Sequence, residues 1–306
     1  MPELPEVQTT VNGINERAKG LVIKDVWNDY KSLHHAGKDN IKDPNFYISF
    51  RKAVIGAKIV EAARRAKNVL IHLSNGYTVI IHMKMTGHVL YGAYTKTTED
   101  GKEKLVALDK GPLRDDPFNR HIRFAFLLSD GKHLALSDMR RFAKVTMTKT
   151  AKLEKSPHLN ASGPEPLEKS FTVRAFKTRL LLRPNGPIKT VLMDHTILAG
   201  IGNIYSDEIL WKTGLHPLVK VRDVDEKHFP VMWKVMKEIL AKGIDFGGDS
   251  MSDYRNISGE AGEFQNRHNA YRKTGSRCSK KGCEGTIVKL KVGGRSAHFC
   301  DTHQKL

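Results

Sequence analysis

The sequence predicts an α+β protein, in which a β-rich half is followed by a helical half and a short basic module. In the first half, Asn75-Gly76 and Asp130-Gly131 each separate two apolar runs. Such pairs supply the positive φ angles that tight β-hairpin turns need. After residue 166 the apolar residues recur at the helical period. Strands grouped ahead of helices in this way are typical of α+β proteins or of separate domains.

The first predicted element is a helix over 3–18, which ends before Gly20. Residues 91–120 are polar and contain Pro and Gly, so we expect a long loop or insertion between strands. The hairpin strands and later helices are predicted at 69–73, 77–83, 123–128 and 133–136, and at 171–182, 187–194, 203–214 and 225–242.

Composition sets the predicted domain boundaries. The segment 148–166 is rich in Lys, Ser and Pro, and residues 245–265 are rich in Gly and Ser. We interpret the first as a linker and the second as a mobile loop. The predicted organisation is a β-rich N-terminal domain over 1–147, a linker at 148–166, a helical domain over 167–265 that includes the loop, and a cysteine-bearing module over 266–306.

The net charge indicates the class of partner. The 306 residues include 51 Lys and Arg against 33 Asp and Glu, a formal charge of +18. Such an excess indicates a polyanion, most simply nucleic acid, because Lys and Arg neutralise phosphates. A membrane surface is the competing partner, but no apolar run reaches transmembrane length and no secretory segment follows Met1. We therefore expect a cytoplasmic protein.

The N-terminus offers an unusual nucleophile. Removal of Met1 would leave Pro2 as a free secondary amine, and an α-amino group has an ordinary pKa of only about 8. Part of it is therefore unprotonated near neutral pH and able to attack an aldehyde carbon. Glu3 and Glu6 are spaced to share one side of a first helical turn. The alternative is an ordinary helix start, with a proline and acidic residues near the helix N-terminus.

The three cysteines favour a metal site over disulfides. Cys278-x4-Cys283 and Cys300-x2-His303 are two ligand pairs separated by sixteen residues, a pattern that suits a closed, structural zinc site. His298 is a rival fourth ligand, and three buried free cysteines are the alternative. Between 272 and 295, eight Lys and Arg residues accompany Glu284 alone, and Gly293-Gly294-Arg295 marks a turn. This charge run is either a solvated face or a DNA-contacting finger.

Three further segments are ambiguous when read alone. Asn203, after two glycines in 199–206, is expected to be the N-cap of a helix whose amides can bind phosphate. Met85 and Phe142 each follow a predicted strand, and Phe142 lies beside Arg140 and Arg141. Apolar side chains of this kind either fill a core or insert between bases.

Taken together, the motifs resemble bacterial formamidopyrimidine-DNA glycosylases, within the family that also includes endonuclease VIII. The resemblance covers nearly the whole chain. It implies an N-terminal β-sandwich with its helix, followed by a helical domain with a helix–two-turn–helix and a β-hairpin zinc finger. The motifs that carry it are PELPEV, RRAKNVLIHL, IIHMKMTG, SDMRRFAKV, SGPEPL, LMDHTILAGIGNIYSDEIL, GEAGEF and the C-terminal finger.

The resemblance also implies roles for individual residues. Pro2 is similar to the family's nucleophile at the sugar C1′, Glu3 to its acid/base and Glu6 to its second active-site carboxylate. Lys67 resembles the lysine that engages substrate and flanking phosphates. The other implied DNA contacts are Met85, Arg140 and Phe142, which fill the gap left by the flipped nucleotide with Arg140 on the orphaned cytosine, and His82, Asn203 and Arg295 on the backbone.

The sequence departs from the family pattern in two places. The first ligand pair of the finger is spaced by four residues rather than two, and its last ligand is His303 instead of cysteine. The 91–120 region is longer than the usual loop, and the sequence assigns it no role.

The activity implied by the resemblance is excision of oxidised purines from double-stranded DNA, followed by β,δ-elimination at the abasic site. One structural zinc ion would be the only cofactor, and a monomer in the bacterial cytoplasm, associated with the nucleoid through DNA, is expected. The alternatives are an endonuclease VIII-like enzyme for oxidised pyrimidines, a non-catalytic zinc-finger DNA-binding protein, and a basic membrane-surface protein.

Overall fold

The alternating apolar residues of the first half form two antiparallel sheets around one core. The structure, a computed structural model, describes residues 1–30 and 33–306. The chain divides into unit 1, made of Met1–Asn160 with Phe246–Glu263, and unit 2, made of Ala161–Asp245 with Phe264–Leu306. The unit boundary between 160 and 161 falls inside the segment that composition predicts as a linker.

The described part of unit 1 contains three α-helices and ten strands. In chain order they are α1 (Leu4–Arg17), β1 (Ile23–Asn28), α2 (Pro44–Val54), β2 (Ile59–Arg65), β3 (Asn68–Leu73), β4 (Tyr77–His82), β5 (His88–Gly92), β6 (Tyr94–Glu99), β7 (Lys102–Ala107), α3 (Pro112–Asp115), β8 (Ile122–Leu128), β9 (His133–Ser137) and β10 (Lys144–Lys149).

The strands form a β-sandwich. One sheet has the order β1-β8-β9-β5 and the other β10-β4-β3-β2, with antiparallel neighbours throughout. Phe50 of α2 packs against Phe124 and Phe126 of β8, with ring centroids 5.9 and 6.2 Å apart. The same buried cluster includes Val69 and Ile81 from the other sheet. Burial of such side chains stabilises the fold by about 1.5–3 kcal/mol each.

Both predicted hairpins are confirmed. β3 pairs with β4 around Gly76, and β8 pairs with β9 around Gly131. The two glycines have φ angles of 78° and 81°, a conformation that side chains with a Cβ rarely adopt. The predicted N-terminal helix is also confirmed as α1.

The region 91–120 is an insertion between strands, as its polarity predicts, but it is not a long loop. β6 and β7 form a hairpin around Asp100-Gly101, and the short α3 follows. Nearly all their side chains are exposed except Tyr94, Leu105 and Ala107. Because these strands contain few apolar residues, the apolar alternation is weak and the Asp-Gly turn signal is easily missed.

Helix α2 is also missing from the sequence prediction. It begins where Asp43 accepts hydrogen bonds from the backbone N–H groups of Asn45 and Phe46, at 2.7 and 2.9 Å. Pro44 occupies the first turn. The Asp-Pro pair is therefore a start signal of the usual kind, an N-cap followed by a proline.

Unit 2 brings the later helices and the cysteine-bearing module together. Its elements are α4 (Val173–Leu180), α5 (Ile188–Met193), α6 (Asn203–Thr213), α7 (His228–Asp245), β11 (Ile287–Val292) and β12 (Arg295–Cys300). α6 packs against α7 and β12, and its residues from Ile204 to Leu210 are all buried. Among the residues that the structure describes, none of the helices has the length and apolar character needed to span a bilayer.

The segment Phe246–Glu263 groups with unit 1, whereas composition placed it in the helical domain. Ile257 belongs to the sandwich core, and its carbonyl accepts the N–H of Tyr91 at 2.8 Å. A Cβ on Gly13 of α1 would overlap the Ile257 side chain. The close approach of this segment to α1 therefore requires glycine at position 13.

Candidate active site and metal centre

The two N-terminal carboxylates lie at the start of α1. Pro2 is buried immediately before the helix, and Glu3 and Glu6 are each only 2% exposed. Glu3 is the N-cap, and its backbone N–H donates to Glu6 Oε2 at 2.7 Å. A negative charge is stabilised at this position by the helix N-terminus. Pro2 is therefore a buried residue directly before a helix start that carries two buried carboxylates.

Glu6 is fixed from a second side by the segment Phe246–Glu263. Its Oε1 accepts the backbone N–H of Asp249 at 2.8 Å, and the Tyr254 hydroxyl donates to the Glu6 carbonyl at 3.0 Å. Gly248 has a φ of 88°, and a Cβ there would lie 2.9 Å from the Tyr254 ring and 3.0 Å from Glu6. Both Glu6 oxygens therefore accept backbone hydrogen bonds, which suits a carboxylate that shapes the site.

Lys67 and His82 lie at the ends of neighbouring strands. Lys67 is in the two-residue turn between β2 and β3, and His82 pairs with Asn68 across β3 and β4. Burial, with the positive charges of Lys84 and Lys67, lowers the pKa of His82 to about 3. Its Nδ1 accepts the N–H of Lys84 at 3.0 Å. At neutral pH the imidazole is therefore uncharged, and its Nε2–H is available as a donor.

The three predicted gap-filling side chains lie together. The Arg140 guanidinium lies 4.6 Å from the Phe142 ring centroid, and one of its nitrogens is 3.4 Å from Met85 Sδ. Met85 and Phe142 are 41% and 48% exposed. These two apolar side chains are therefore a surface feature of unit 1 and not part of its core, which excludes a core-filling role for both.

A buried carboxylate that the sequence analysis missed holds this arrangement. Asp138 is fully buried and accepts hydrogen bonds from Tyr30 Oη at 2.7 Å, Thr86 Oγ1 at 2.5 Å and the Ala143 N–H at 2.7 Å. Thr86 Oγ1 in turn accepts the N–H of Arg140 at 3.1 Å. Asp138 therefore ties the loop carrying Arg140 to the loop carrying Met85.

The metal-ligand prediction is confirmed as a geometry. The donor atoms of Cys278, Cys283, Cys300 and His303 all lie within 4.8 Å of one another. His303 Nδ1 is 3.5 Å from Cys278 Sγ and 3.6 Å from Cys283 Sγ, and Cys283 and Cys300 Sγ are 3.6 Å apart. Tetrahedral Zn–S bonds of about 2.3 Å place ligand atoms ~3.8 Å apart, so the donor set fits a tetrahedral cation.

The surroundings decide between the two candidate histidines. His303 Nε2 donates to the Trp211 carbonyl at 3.0 Å, which leaves Nδ1 turned to the thiols. Outer hydrogen bonds of this kind fix the tautomer of a metal-binding histidine. His298 Nδ1 instead bonds the buried Asp207 at 2.8 Å, and Asp207 also pairs with the buried Lys189 at 2.5 Å. His298 is thus part of the packing between β12, α6 and α5.

Two phosphate-contact predictions fall in unit 2. Asn203 is the first residue of α6 and not its N-cap; the N-cap is Gly202, which offers no side-chain oxygen. The expectation was wrong by one residue because the Gly-rich approach continues up to the helix. Arg295 is exposed and opens β12 directly after Gly293 and Gly294, whose φ angles are 54° and 78°.

Two family models match most of the chain. Residues 1–145 match the model of the formamidopyrimidine-DNA glycosylase N-terminal domain, and residues 162–255 match the model of the H2TH domain of the same enzymes. The chain belongs to the formamidopyrimidine-DNA glycosylase family. The α+β architecture of a β-sandwich, a helical domain and a cysteine cluster at the C-terminal end agrees with this assignment.

Relatives of this family are similar over their full length. The formamidopyrimidine-DNA glycosylase of Heliobacterium modesticaldum is 34% identical over 306 residues, and that of Bacillus subtilis is 32% identical over 98% of both chains. Among solved structures, a complex of Lactococcus lactis Fpg with abasic-site DNA has a TM-score of 0.81 at 27% identity and covers 99% of this chain and 100% of its own. The Thermus thermophilus MutM structure has a TM-score of 0.78 at 28% identity, with coverage of 99% and 98%.

Proposed function

We propose that this glycosylase excises oxidised purines, such as 8-oxoguanine and formamidopyrimidines, from duplex DNA and then cleaves the strand as an AP lyase. The observation that carries the proposal is the Pro2–Glu3–Glu6 arrangement at the start of α1, in the same unit as an exposed Met85–Arg140–Phe142 cluster. A Lactococcus lactis relative has been solved with DNA containing a formamidopyrimidine lesion, which supports the choice of substrate.

The first chemical step uses the N-terminal amine. After removal of Met1, the lone pair of the Pro2 nitrogen attacks the sugar C1′, and the glycosidic electron pair leaves with the base. The departing base takes up a proton, and the attached Pro2 nitrogen gives up its N–H proton, so that its lone pair can expel the ring oxygen. Glu3, as acid/base, protonates the sugar ring oxygen as the ring opens to the iminium. Glu6 is less suited to proton transfer because both of its oxygens accept backbone N–H groups.

The iminium then drives strand cleavage. It acidifies the C2′ proton, and loss of this proton expels the 3′ phosphate by β-elimination. A second elimination expels the 5′ phosphate, and hydrolysis of the imine returns the free Pro2 amine. Every group required is an amine, a carboxylate or water, so the proposed chemistry needs no redox or nucleotide cofactor.

The lesion must leave the base stack before this chemistry, at a cost of a few kcal/mol. Insertion of Met85 and Phe142 into the gap would offset part of this cost through apolar contact. Arg140, held over the Phe142 ring at 4.6 Å, has the donor fork needed to bond the orphaned cytosine. Lys67, His82, Asn203 and Arg295 would hold the flanking phosphates.

We propose zinc as the occupant of the four-donor site, and a monomer acting in the cytoplasm. Three thiols and one imidazole suit zinc, and four protein ligands leave no position for an activated water. Burial raises the pKa of the Cys300 thiol to about 11, and a bound cation would favour its thiolate instead. Zinc would supply a structural cross-link, and the finger would then present Arg295 to phosphate.

An endonuclease VIII-like preference for oxidised pyrimidines is the second candidate, since it would use the same N-terminal chemistry. The Met85–Arg140–Phe142 cluster favours the purine substrate. The decisive assay compares strand nicking on a duplex with one 8-oxoguanine opposite cytosine and on a duplex with one thymine glycol. Faster nicking of the 8-oxoguanine duplex is expected, whereas the reverse order would favour the pyrimidine enzyme.

Glu3→Gln tests the acid/base assignment. It should lose base excision while retaining lesion binding, because the amide cannot donate or accept the proton in the same way. Glu16→Gln is the matched control, since Glu16 lies on the exposed face of the same helix. Full excision by Glu3→Gln would remove Glu3 from this role.

A further inference from the structure

Unit 1 contains a basic site beside His82. It is a cleft of about 180 Å³ lined by Asn68, Ile80, His82, Lys84, Lys144, Thr146 and His158. Two lysines and two histidines are among these seven described residues, and none of the seven is a carboxylate. A cleft of this size and charge suits a small anion, because its wall offers several N–H donors at close range.

The side chain of Lys144 is held in place by a hydrogen bond to His158. Its Nζ donates to His158 Nδ1 at 3.3 Å, and His158 Nε2 donates to Asp39 at 3.3 Å. Thr146 Oγ1 donates to the same carboxylate at 3.0 Å. His158 therefore faces Lys144 with a lone pair, and the other two N–H groups of the ammonium remain for a ligand. Burial, together with the charges of Lys84 and Lys38, lowers the Lys144 pKa, so an anion in the cleft would relieve an unfavourable positive charge.

Lys84 occupies a backbone conformation that lysine rarely adopts. Its φ is 56°, a region where residues with a Cβ are strained and glycine is not. The strained turn places Lys84 between His82, whose Nδ1 binds its N–H at 3.0 Å, and the exposed Met85. The side chain of Lys84 lines the cleft. His82, Lys84 and Lys144 thus contribute an imidazole N–H and two ammonium groups to one wall.

We propose that this cleft binds a phosphodiester of the DNA strand that Met85 enters, through Lys144, Lys84 and His82 Nε2–H, with His158 as the positioning residue for Lys144. The proposal rests on the proposed function, because it takes the bound strand to be the one that Met85 enters. It adds Lys144, Lys84 and the positioning residue His158 to the phosphate contact that the proposed function gives to His82 alone.

The first test measures the salt dependence of duplex binding. The slope of log K against log salt concentration is negative, and its magnitude decreases by about 0.9 for each phosphate that the protein no longer neutralises. Lys144→Gln should therefore reduce the slope by the value for about one phosphate, on lesion and undamaged duplexes alike. Lys24→Gln is the matched control, since Lys24 is exposed on β1 and does not line the cleft. An unchanged slope in Lys144→Gln would overturn the proposal.

The second test locates the phosphate. A methylphosphonate removes the charge of one phosphate, and a scan along the strand should find one position where the parent loses about tenfold or more in affinity but Lys144→Gln loses little. If the loss of affinity from each methylphosphonate is the same in the parent and in Lys144→Gln at every position, the proposal is overturned. If Lys144→Gln does not fold, Lys84→Gly serves instead, because glycine adopts the required φ without strain.

The outcomes separate this proposal from the proposed function. A parent protein that forms no borohydride-trapped adduct with damaged DNA would defeat the proposed function itself. A parent that is trapped normally, with Lys144→Gln and Lys84→Gly indistinguishable from it in slope and in the methylphosphonate scan, would defeat only the cleft. Inorganic phosphate that fills the cleft without competing with DNA would also defeat it, by making the cleft a site for a free anion.

Discussion

Asp138→Asn should loosen the loop that carries Arg140 without altering any residue that would touch DNA. The carboxylate is fully buried and accepts three hydrogen bonds of 2.5 to 2.7 Å. A hydrogen bond to a charged group contributes about 1.5–3 kcal/mol and a neutral one about 0.5–1.5 kcal/mol. Over three bonds the loss amounts to about 3 kcal/mol, or ~100-fold in the population of the opened loop.

Two measurements check this value. Urea unfolding should show the loss of stability, and hydrogen exchange at the Ala143 amide, which donates to Asp138, should accelerate. Asp25→Asn is the control, because Asp25 pairs with Arg51 at the surface, where ion pairs contribute about 0–1 kcal/mol. An Asp138→Asn protein as stable as Asp25→Asn, with unchanged exchange at Ala143, would refute the view that Asp138 holds this loop.

Three other perturbations have expected results. Arg140→Ala should weaken the preference for cytosine opposite the lesion about tenfold, because an arginine–base contact contributes about 1–3 kcal/mol; competition between duplexes measures this, and an unchanged preference would assign the orphan base to another residue. His303→Ala should lose the metal while His298→Ala keeps it, by elemental analysis, since His298 Nδ1 is bound to Asp207; the opposite result would exchange the fourth ligand. The folded-state pKa of His82, about 3, lies below its ordinary 6.5, so protonation favours the unfolded chain and stability falls as the pH drops from 6.5 towards 3. Between pH 7 and pH 5 this costs about 2 kcal/mol, and His82→Gln should remove that part of the loss in urea unfolding; an equal loss in both proteins would contradict the buried neutral imidazole.

Local signals were enough to predict several parts of the molecule. The Asn75-Gly76 and Asp130-Gly131 turns specify their hairpins because the turn residues and the flanking apolar strands are adjacent in sequence. The metal ligands could be predicted for the same reason, since Cys278 and Cys283 lie close together in sequence and so do Cys300 and His303. What spacing left open was the choice of His303 over His298, which depends on contacts with Trp211 and Asp207.

The parts that the sequence could not predict depend on contacts between residues far apart in the chain or on weak sequence patterns. Asp138 is bonded to Tyr30, 108 residues away, and Tyr254 to Glu6, 248 residues away. Neither contact produces a periodic pattern in the sequence. Segment Phe246–Glu263 has the Gly and Ser content of a loop, yet close packing leaves little room for a Cβ at Gly248, Gly259 and Gly262.

The central claim is that Pro2 is the nucleophile, and a covalent adduct tests it most directly. The protein should be incubated with an 8-oxoguanine duplex and borohydride, digested, and the modified peptide sequenced by mass spectrometry. We expect a reduced sugar remnant on the nitrogen of Pro2, in a chain that lacks Met1, and no equivalent adduct elsewhere. A trapped remnant on Lys67 or another lysine, with Pro2 unmodified or still preceded by Met1, would contradict the account.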